Sequence, residues 1–231
     1  MPPRAVVRLW RGRVASSRAA EYRVYQEEVG PPNYRTVPGI RRIYMLGREI
    51  GEHYEIAMLT FWKSLQAIRA FAGDPVDKAR YYARDFAFLI DPPDKVEHFE
   101  LLESAGLARG TSERERIVRL WRGRTPMARK REAIYVGAEI DTPWYRAVPG
   151  NRGVCLLGRD LGAEYEVAML TFWESLDAVR AFAGDPPDRA NYDEYRRRDL
   201  DYLIELPERA EHFQVLASER AAGKRTRTDG A

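Results

Sequence analysis

The side chains able to move a proton or hold a charge recur along this chain in matched pairs. Arg8 and Arg119, Trp10 and Trp121, Trp62 and Trp173, and Tyr81 and Tyr192 each stand 111 residues apart, while His98 and His212 stand 114 apart. Histidine is the side chain whose ordinary pKa lies nearest neutrality, so His98 and His212 are candidate proton acceptors or donors, with Tyr81 and Tyr192 beside them. The guanidinium groups of Arg8 and Arg119 suit the holding of an anion. Trp10, Trp62, Trp121 and Trp173 offer flat walls for a ligand and an indole N–H as donor, and Tyr44 is a further candidate wall. Plainer roles stand beside each. A tryptophan at a strand-to-helix junction is commonly core, an arginine on a strand can snorkel or pair with a carboxylate, and a histidine near a chain end is often a satisfied structural group. His53 has Glu164 as its counterpart and reads as a loop residue.

Other chemistries find little support. No group of His, Cys and carboxylate residues has metal-ligand spacing, and there is neither a Gly-rich phosphate loop nor a dinucleotide fingerprint. The single cysteine, Cys155, cannot form an intramolecular disulfide and is expected to be a buried, inert thiol. With 38 Lys and Arg against 35 Asp and Glu the formal net charge is only +3. Acids and bases alternate, so the arginines read as solvated faces rather than as a nucleic-acid footprint. No stretch approaches the roughly 18 apolar residues of a membrane span, and the first 13 residues lack the apolar run of a signal peptide. A cytoplasmic protein without nucleic-acid or membrane partners is expected.

The elements that must position these residues occur twice. VVRLWRGRV from Val6 aligns with IVRLWRGRT from Ile117, and EIAMLTFWKSLQAIRAFAGDP from Glu55 with EVAMLTFWESLDAVRAFAGDP from Glu166, without a gap between them. Past Tyr81 and Tyr192 the copies drift, the second gains three residues, and they realign at EHF. The period is too long for a solenoid, so each copy is expected to be a domain: residues 1–103, a linker over 104–116, residues 117–217, and a tail over 218–231. Within a copy, Ala5 to Val14 reads as a strand, Arg18 to Val29 as a helix capped by Ser16 or Ser17 and stopped by Gly30-Pro31-Pro32, and Ile40 to Arg48 with Tyr54 to Trp62 as a hairpin. Ser64 is placed to cap a helix over Leu65 to Phe71, and a short helical stretch and a strand over Val96 to Leu102 close the unit. The order strand, helix, strand, strand, helix, strand is ferredoxin-like, an α+β architecture. Ile56 to Leu59 are all apolar, so both faces of the sheet need covering. Two such sheets packed face to face inside one chain would supply the cover.

WRG in the first strand, VPG before the hairpin, the W-x-S-x-x-A-x-x-A-F-A-G-D stretch and the closing HF resemble the antibiotic biosynthesis monooxygenase domain, here in tandem. The resemblance implies a dimeric α+β barrel made within one molecule, a pseudo-dimer with a homodimer as the alternative. It also implies an activity like that of cofactor-free oxygenases acting on a small aromatic, anthrone or polyketide-like substrate with O2. The haem-degrading members use an asparagine, a tryptophan and a histidine. Trp62 and Trp173 match the tryptophan, but Arg8 and Arg119, and Tyr81 and Tyr192, stand near the other two places, so no cofactor is expected. A cofactor-free oxygenase needs a base, an anion holder and a dry pocket for a flat ring. The alternatives are a non-oxidative cyclase or isomerase using the same groups, and a binding module whose pockets are filled by its own side chains. Where the copies differ, Tyr25 becomes Val136, Asn33 becomes Trp144, Tyr44 becomes Cys155 and Tyr82 becomes Asp193, so two pockets of unequal chemistry are expected.

Overall fold

The structure, a computed structural model, describes residues 4–107, 115–192 and 201–220. In the first half β1 (Val6–Ala15), α1 (Ala19–Arg35), β2 (Ile40–Ile50), β3 (His53–Trp62), α2 (Leu65–Ala72) and β4 (Glu97–Ala105) follow the ferredoxin-like order. The second half repeats it with β5 (Ile117–Pro126), α3 (Lys130–Tyr135), α4 (Thr142–Ala147), β6 (Asn151–Asp160), β7 (Glu164–Trp173), α5 (Leu176–Ala183) and β8 (Glu211–Arg220). Strand alternation sorts the apolar run that asked for two covers. Ile56 and Met58 lie under the helices, while Ala57 and Leu59 face the other half.

The two sheets do more than stack. Ser104 and Ala105 of β4 pair with Cys155 and Val154 of β6, and Arg42 and Tyr44 of β2 pair with Arg220 and Ser218 of β8. The eight strands thereby close in the order β1-β3-β2-β8-β5-β7-β6-β4. The last strand of each half runs past the boundary expected from composition, into residues 104–105 and 218–220. Pairing across the seams explains this, because it satisfies edge N–H and C=O groups that would otherwise face water. The linker and tail expected beyond them fall largely on residues 108–114 and 221–231, outside the described residues.

Three apolar layers result: the barrel lumen and one layer under the helices of each half. The lumen is packed, with a void of only about 10 Å³ among Val7, Leu9, Phe99, Val118 and Phe213. Its mouth is closed by Arg11, Arg48, Arg122 and Arg159 alternating with Glu55, Glu97, Glu166 and Glu211. Arg11 and Arg48 each reach Glu211 at 2.7 Å, and Arg122 and Arg159 reach Glu97 at 2.5 and 3.0 Å. Arg48 and Arg159 also lie over the lumen rings of Phe213 and Phe99 at 4.5 and 4.9 Å. Through these arginines Glu211 is held down at about 2 despite its burial, which acts the other way.

The helices match expectation at α2 and α5, where Ser64 and Ser175 accept from the Ala67 and Ala178 N–H groups and Gly73 and Gly184, at φ 81° and 84°, end the helix. They depart from it at α1. Neither Ser16 nor Ser17 caps it, since both lie in a 3-10 turn before it, and the helix does not stop at Gly30 but runs through Pro31 and Pro32 to Arg35. A proline in a helix leaves the carbonyl four residues earlier unpaired. Here those carbonyls belong to Glu27 and Glu28, both exposed residues, where water can take the place of the missing donors. Asn33 adds a side-chain bond to the carbonyl of Val29 at 2.6 Å.

In the second half the same stretch of chain, equal in length, is built differently. Between α3 and α4, Val136–Asp141 form a π-helical turn, and the Thr142 hydroxyl donates to the Gly137 carbonyl at 2.8 Å. Gly137 lies so close to the sheet that a Cβ there would meet the Leu156 side chain at 2.5 Å. In the first half this position is Gln26, whose amide donates at 2.7 Å to Asp85 of the facing 3-10 turn (Ala83–Ala87). Asp85 also accepts from the Tyr22 hydroxyl at 3.1 Å and the Tyr82 N–H at 2.6 Å, so this carboxyl, pushed up by burial, is fully partnered.

Candidate functional site

β1 and β5 point Arg8 and Arg119, Trp10 and Trp121 outward from the barrel, into the layers beneath the helices. β4 and β8 set His98 and His212 directly beside the two arginines in register. Each half therefore assembles an arginine, a histidine, a tryptophan and a tyrosine on one face of its sheet. Both arginines are buried, at 2% and 1% exposure, and burial lowers the pKa of each from its ordinary value. A guanidinium nevertheless stays charged.

What surrounds the arginine differs between halves. Arg8 donates to the carbonyls of Val76 and Lys78, both at 3.0 Å, and lies 3.1 Å from His98 Nε2. Because guanidinium has only donors, His98 Nε2 must be the acceptor and its proton must sit on Nδ1. Arg119 donates to the carbonyl of Arg189 at 2.8 Å and to Tyr145. His212 Nε2 finds no partner among the described residues. Burial, then the adjacent arginine, push both imidazoles down to about 4. At neutral pH both histidines are uncharged, and as bases they are weak.

The aromatic candidates divide in the same way. Trp62 and Trp173 are fully buried, donate to Thr60 and Thr171 at 2.9 Å, and pack on Phe71 and Phe182 with ring centres 5.4 and 5.1 Å apart. Their N–H groups are thus occupied by the sheet itself. Trp121 donates to Tyr192 at 2.8 Å, and Tyr192 donates on to the Pro207 carbonyl at 2.7 Å. Tyr81 likewise donates to the carbonyl of Pro93, and the Trp10 indole sits edge-on to it with no acceptor of hydrogen-bonding geometry. Both phenol O–H groups are thus directed at backbone carbonyls. Tyr44 lies on the opposite face of the sheet from all of these. The parity of β2 turns it into the barrel lumen, where it donates to the buried Glu115 at 2.8 Å and packs on Phe172. Cys155, its counterpart, is fully buried there too, and burial pushes its thiol pKa up.

Space for a ligand atom opens at Arg119. A void of about 20 Å³ is lined by Arg119, Trp121, Asp141, Tyr145, Met169, Asn191 and Tyr192. That volume suffices for one water, and most of its lining is polar. The corresponding residues of the first half are Arg8, Trp10, Gly30, Tyr34, Met58, Arg80 and Tyr81. Two of the exchanges change the surroundings of the arginine. Arg80 extends to the Phe71 carbonyl and over the Phe71 ring, whereas the shorter Asn191 reaches the Phe182 carbonyl and fills less space. Asp141 puts a carboxylate where Gly30 has no side chain. Sequence reading singled out Arg119, Trp121 and Tyr192 of this lining. It missed Asp141, Tyr145, Met169 and Asn191, and the signal available was the position-by-position mismatch between copies.

Among the described residues no helix is long and apolar enough to cross a membrane. No family model matches the chain, and no curated protein is significantly similar to it in sequence. Solved structures share its fold. A candidate monooxygenase from Fusobacterium nucleatum superposes with a TM-score of 0.68 at 10% identity, covering 96% of this chain and 97% of that one. An anthrone oxidase-like protein gives 0.63 at 15% identity over 97% and 95%. A candidate monooxygenase from Lactobacillus acidophilus gives 0.63 at 11% over 94% and 97%. Each match runs through both halves of a single chain, so the duplicated barrel is shared as a whole.

Proposed function

Taking as premise a chain built on the tandem ferredoxin-like barrel of monooxygenase-like proteins, we propose that its second half binds and oxidises a small aromatic compound, without a prosthetic group, and that its first half is a structural partner. The polar void beside Arg119 carries this reading. It lies where a ligand oxygen could replace a water and face a buried cation, while Arg8 is committed to two carbonyls and His98. The likeness to an anthrone oxidase-like protein supports the substrate class at the level of fold.

A substrate that suits such a site is one that ionises to an electron-rich enolate, such as a hydroxylated anthrone. Arg119 and Tyr145 hold the developing oxyanion in a site shielded from water, where a fixed charge acts strongly. The enolate transfers an electron to O2, the resulting radicals combine at carbon, and loss of water from the peroxide leaves a carbonyl. One oxygen atom enters the product and the other departs as water with the two methylene hydrogens. Small-molecule sites usually occupy at least roughly 300 Å³, so the closed site must open around its ligand. The test is oxygen uptake by the purified protein with a panel of hydroxylated anthrones. Uptake with one product carbonyl formed per O2 supports the reading. Binding of the same compounds without uptake moves the function to a non-oxidative cyclase or isomerase, which would use the same anion holder.

A further inference from the structure

We propose that a cleft between the two halves, on the outer face of the seam joining β4 to β6, is a binding site for a small organic carboxylate with an apolar body. The cleft has a volume of about 640 Å³, within the roughly 300–1,000 Å³ of small-molecule sites. It shares no described lining residue with the void beside Arg119, so the proposal stands whether or not that void turns over a substrate. Both halves build it. Val6, the first residues of α2 and His98 of β4 line one side, and Lys130, the end of β6 and Tyr165 line the other.

Two donors at the cleft lack acceptors. Tyr165 is only 1% exposed, and its hydroxyl has no hydrogen-bond partner among the described residues. It lies against Gly158, which also lines the cleft and where a Cβ would collide with the phenol oxygen. Burial pushes the Tyr165 pKa up to about 12, so the group stays an O–H donor. His98 is the second. Its Nε2 faces Arg8, which leaves the proton on Nδ1, and that N–H meets no acceptor among the described residues. The charges point the same way. Arg4 is paired with Glu100 at 2.5 Å, Arg159 with Glu97 and Glu166, and Asp160 accepts from the Gly162 N–H. Lys130 lies 4.2 Å from the Tyr165 ring centre and has no ion pair among the described residues. One unpaired cation matches a carboxylate better than a phosphate dianion, and Leu65 and Gln66 open α2, whose N-terminus favours negative charge. Val6, Leu65 and Phe99 supply an apolar wall. The matching positions at the seam joining β8 to β2 hold Ala19 for Lys130, Glu115 for Arg4 and Asp177 for Gln66. That seam forms without the cations, so the fold itself does not call for them.

The experiment is an NMR titration of the intact protein with sodium 2-naphthoate near neutral pH, following the ring signals of His53, His98 and His212. Saturable movement of His98 with the other two unmoved is the expected result. The neutral 2-naphthamide, of the same shape, should bind at least about tenfold more weakly than the acid, and naphthoate should bind Lys130→Ala about tenfold more weakly than the native protein, the scale on which hydrogen bonds to charged groups act. Tyr165→Phe should weaken binding by a similar factor and leave the thermal midpoint of the free protein unchanged or higher, because the hydroxyl gives up no partner there. A hydroxyl with a purely structural role would do the reverse, lowering the midpoint at unchanged affinity. His98 signals that stay still at millimolar naphthoate overturn the proposal. So does movement of His212 in their place, which would put the anion beside Arg119, or equal binding of acid and amide, or native affinity in Lys130→Ala. Displacement of naphthoate by equimolar inorganic phosphate overturns the carboxylate assignment.

Discussion

In the first half the helix over the sheet runs unbroken from Ala19 to Arg35, Tyr22 and Gln26 tie it to Asp85, and Arg8 beneath it is bound to two carbonyls and an imidazole. In the second half the corresponding helix is interrupted by a π-helical turn, a carboxylate replaces glycine, and a void adjoins the arginine. The sheets beneath are nearly superposable in register, Arg8 opposite Thr60 and Arg119 opposite Thr171. Besides the lumen exchange of Tyr44 for Cys155, the larger difference between the halves lies in the layer above the sheet. Strands shared across two seams are constrained by both halves at once, whereas a helix packed on one outer face is constrained by one.

The contrast is sharpest at the arginines. Arg119→Ala should reduce turnover about 10²–10³-fold, equivalent to about 3–4 kcal/mol of transition-state stabilisation, as loss of an oxyanion donor does elsewhere. Arg8→Ala should leave turnover within about threefold while lowering stability by about 2–3 kcal/mol, the worth of charged hydrogen bonds. Steady-state kinetics and urea unfolding on the same preparations decide it. Equal catalytic losses would mean that both halves work.

A smaller effect is expected at the first half's polar tie. Asp85→Ala removes the acceptor of three hydrogen bonds, leaving the buried Tyr22 O–H without its acceptor and Gln26 with only the Tyr22 oxygen, which should cost about 2 kcal/mol in urea unfolding with little change in turnover. If turnover fell as far as stability, the first half could not be a passive partner.

The smallest effect tests what the halves have in common. His98 and His212 titrate near 4 in the folded protein and near 6.5 when unfolded. Between those values the unfolded chain binds more protons, so the stabilisation is complete above about pH 6.5 and declines as pH falls toward 4. Allowing for partial exposure, the pair should account for about 1–2 kcal/mol of that loss. The double variant His98→Gln, His212→Gln should flatten the stability profile in this window and leave the loss at lower pH, where Glu211 titrates. An unchanged slope would show that the imidazoles are not held neutral.

Much of the fold was legible because the repeat is gapless through its best-matched stretches and because four successive apolar residues, Ile56 to Leu59, demand cover on two faces. The seams were not, since composition alone makes Ser104 and Ser218 resemble linker, and only a closing partner strand turns them into sheet. Pro31 and Pro32 read as a stop because a proline usually ends a helix. Here the carbonyls they leave open belong to exposed residues, Glu27 and Glu28, which water can reach. At the site, strand parity could have assigned Tyr44 to the lumen, where its neighbours of the same parity are Leu46 and, across the pair, Leu59. Asp141 was harder to see. A π-helical turn changes hydrogen bonding without adding a residue, so the alignment of Gly30 with Asp141 stays in register and hides a change of shape as a single substitution.

The two seam ladders also bear on how the molecule could be taken apart. Each half lends its final strand to the other's sheet, β4 to β6 and β8 to β2, and the ring of arginines and glutamates is completed from both. The covalent connection between residues 107 and 115 holds the two halves at high effective concentration. A chain divided there and expressed as two polypeptides should reassemble into an obligate heterodimer. The same cut would turn the molecule into a two-component reporter, silent until both pieces meet.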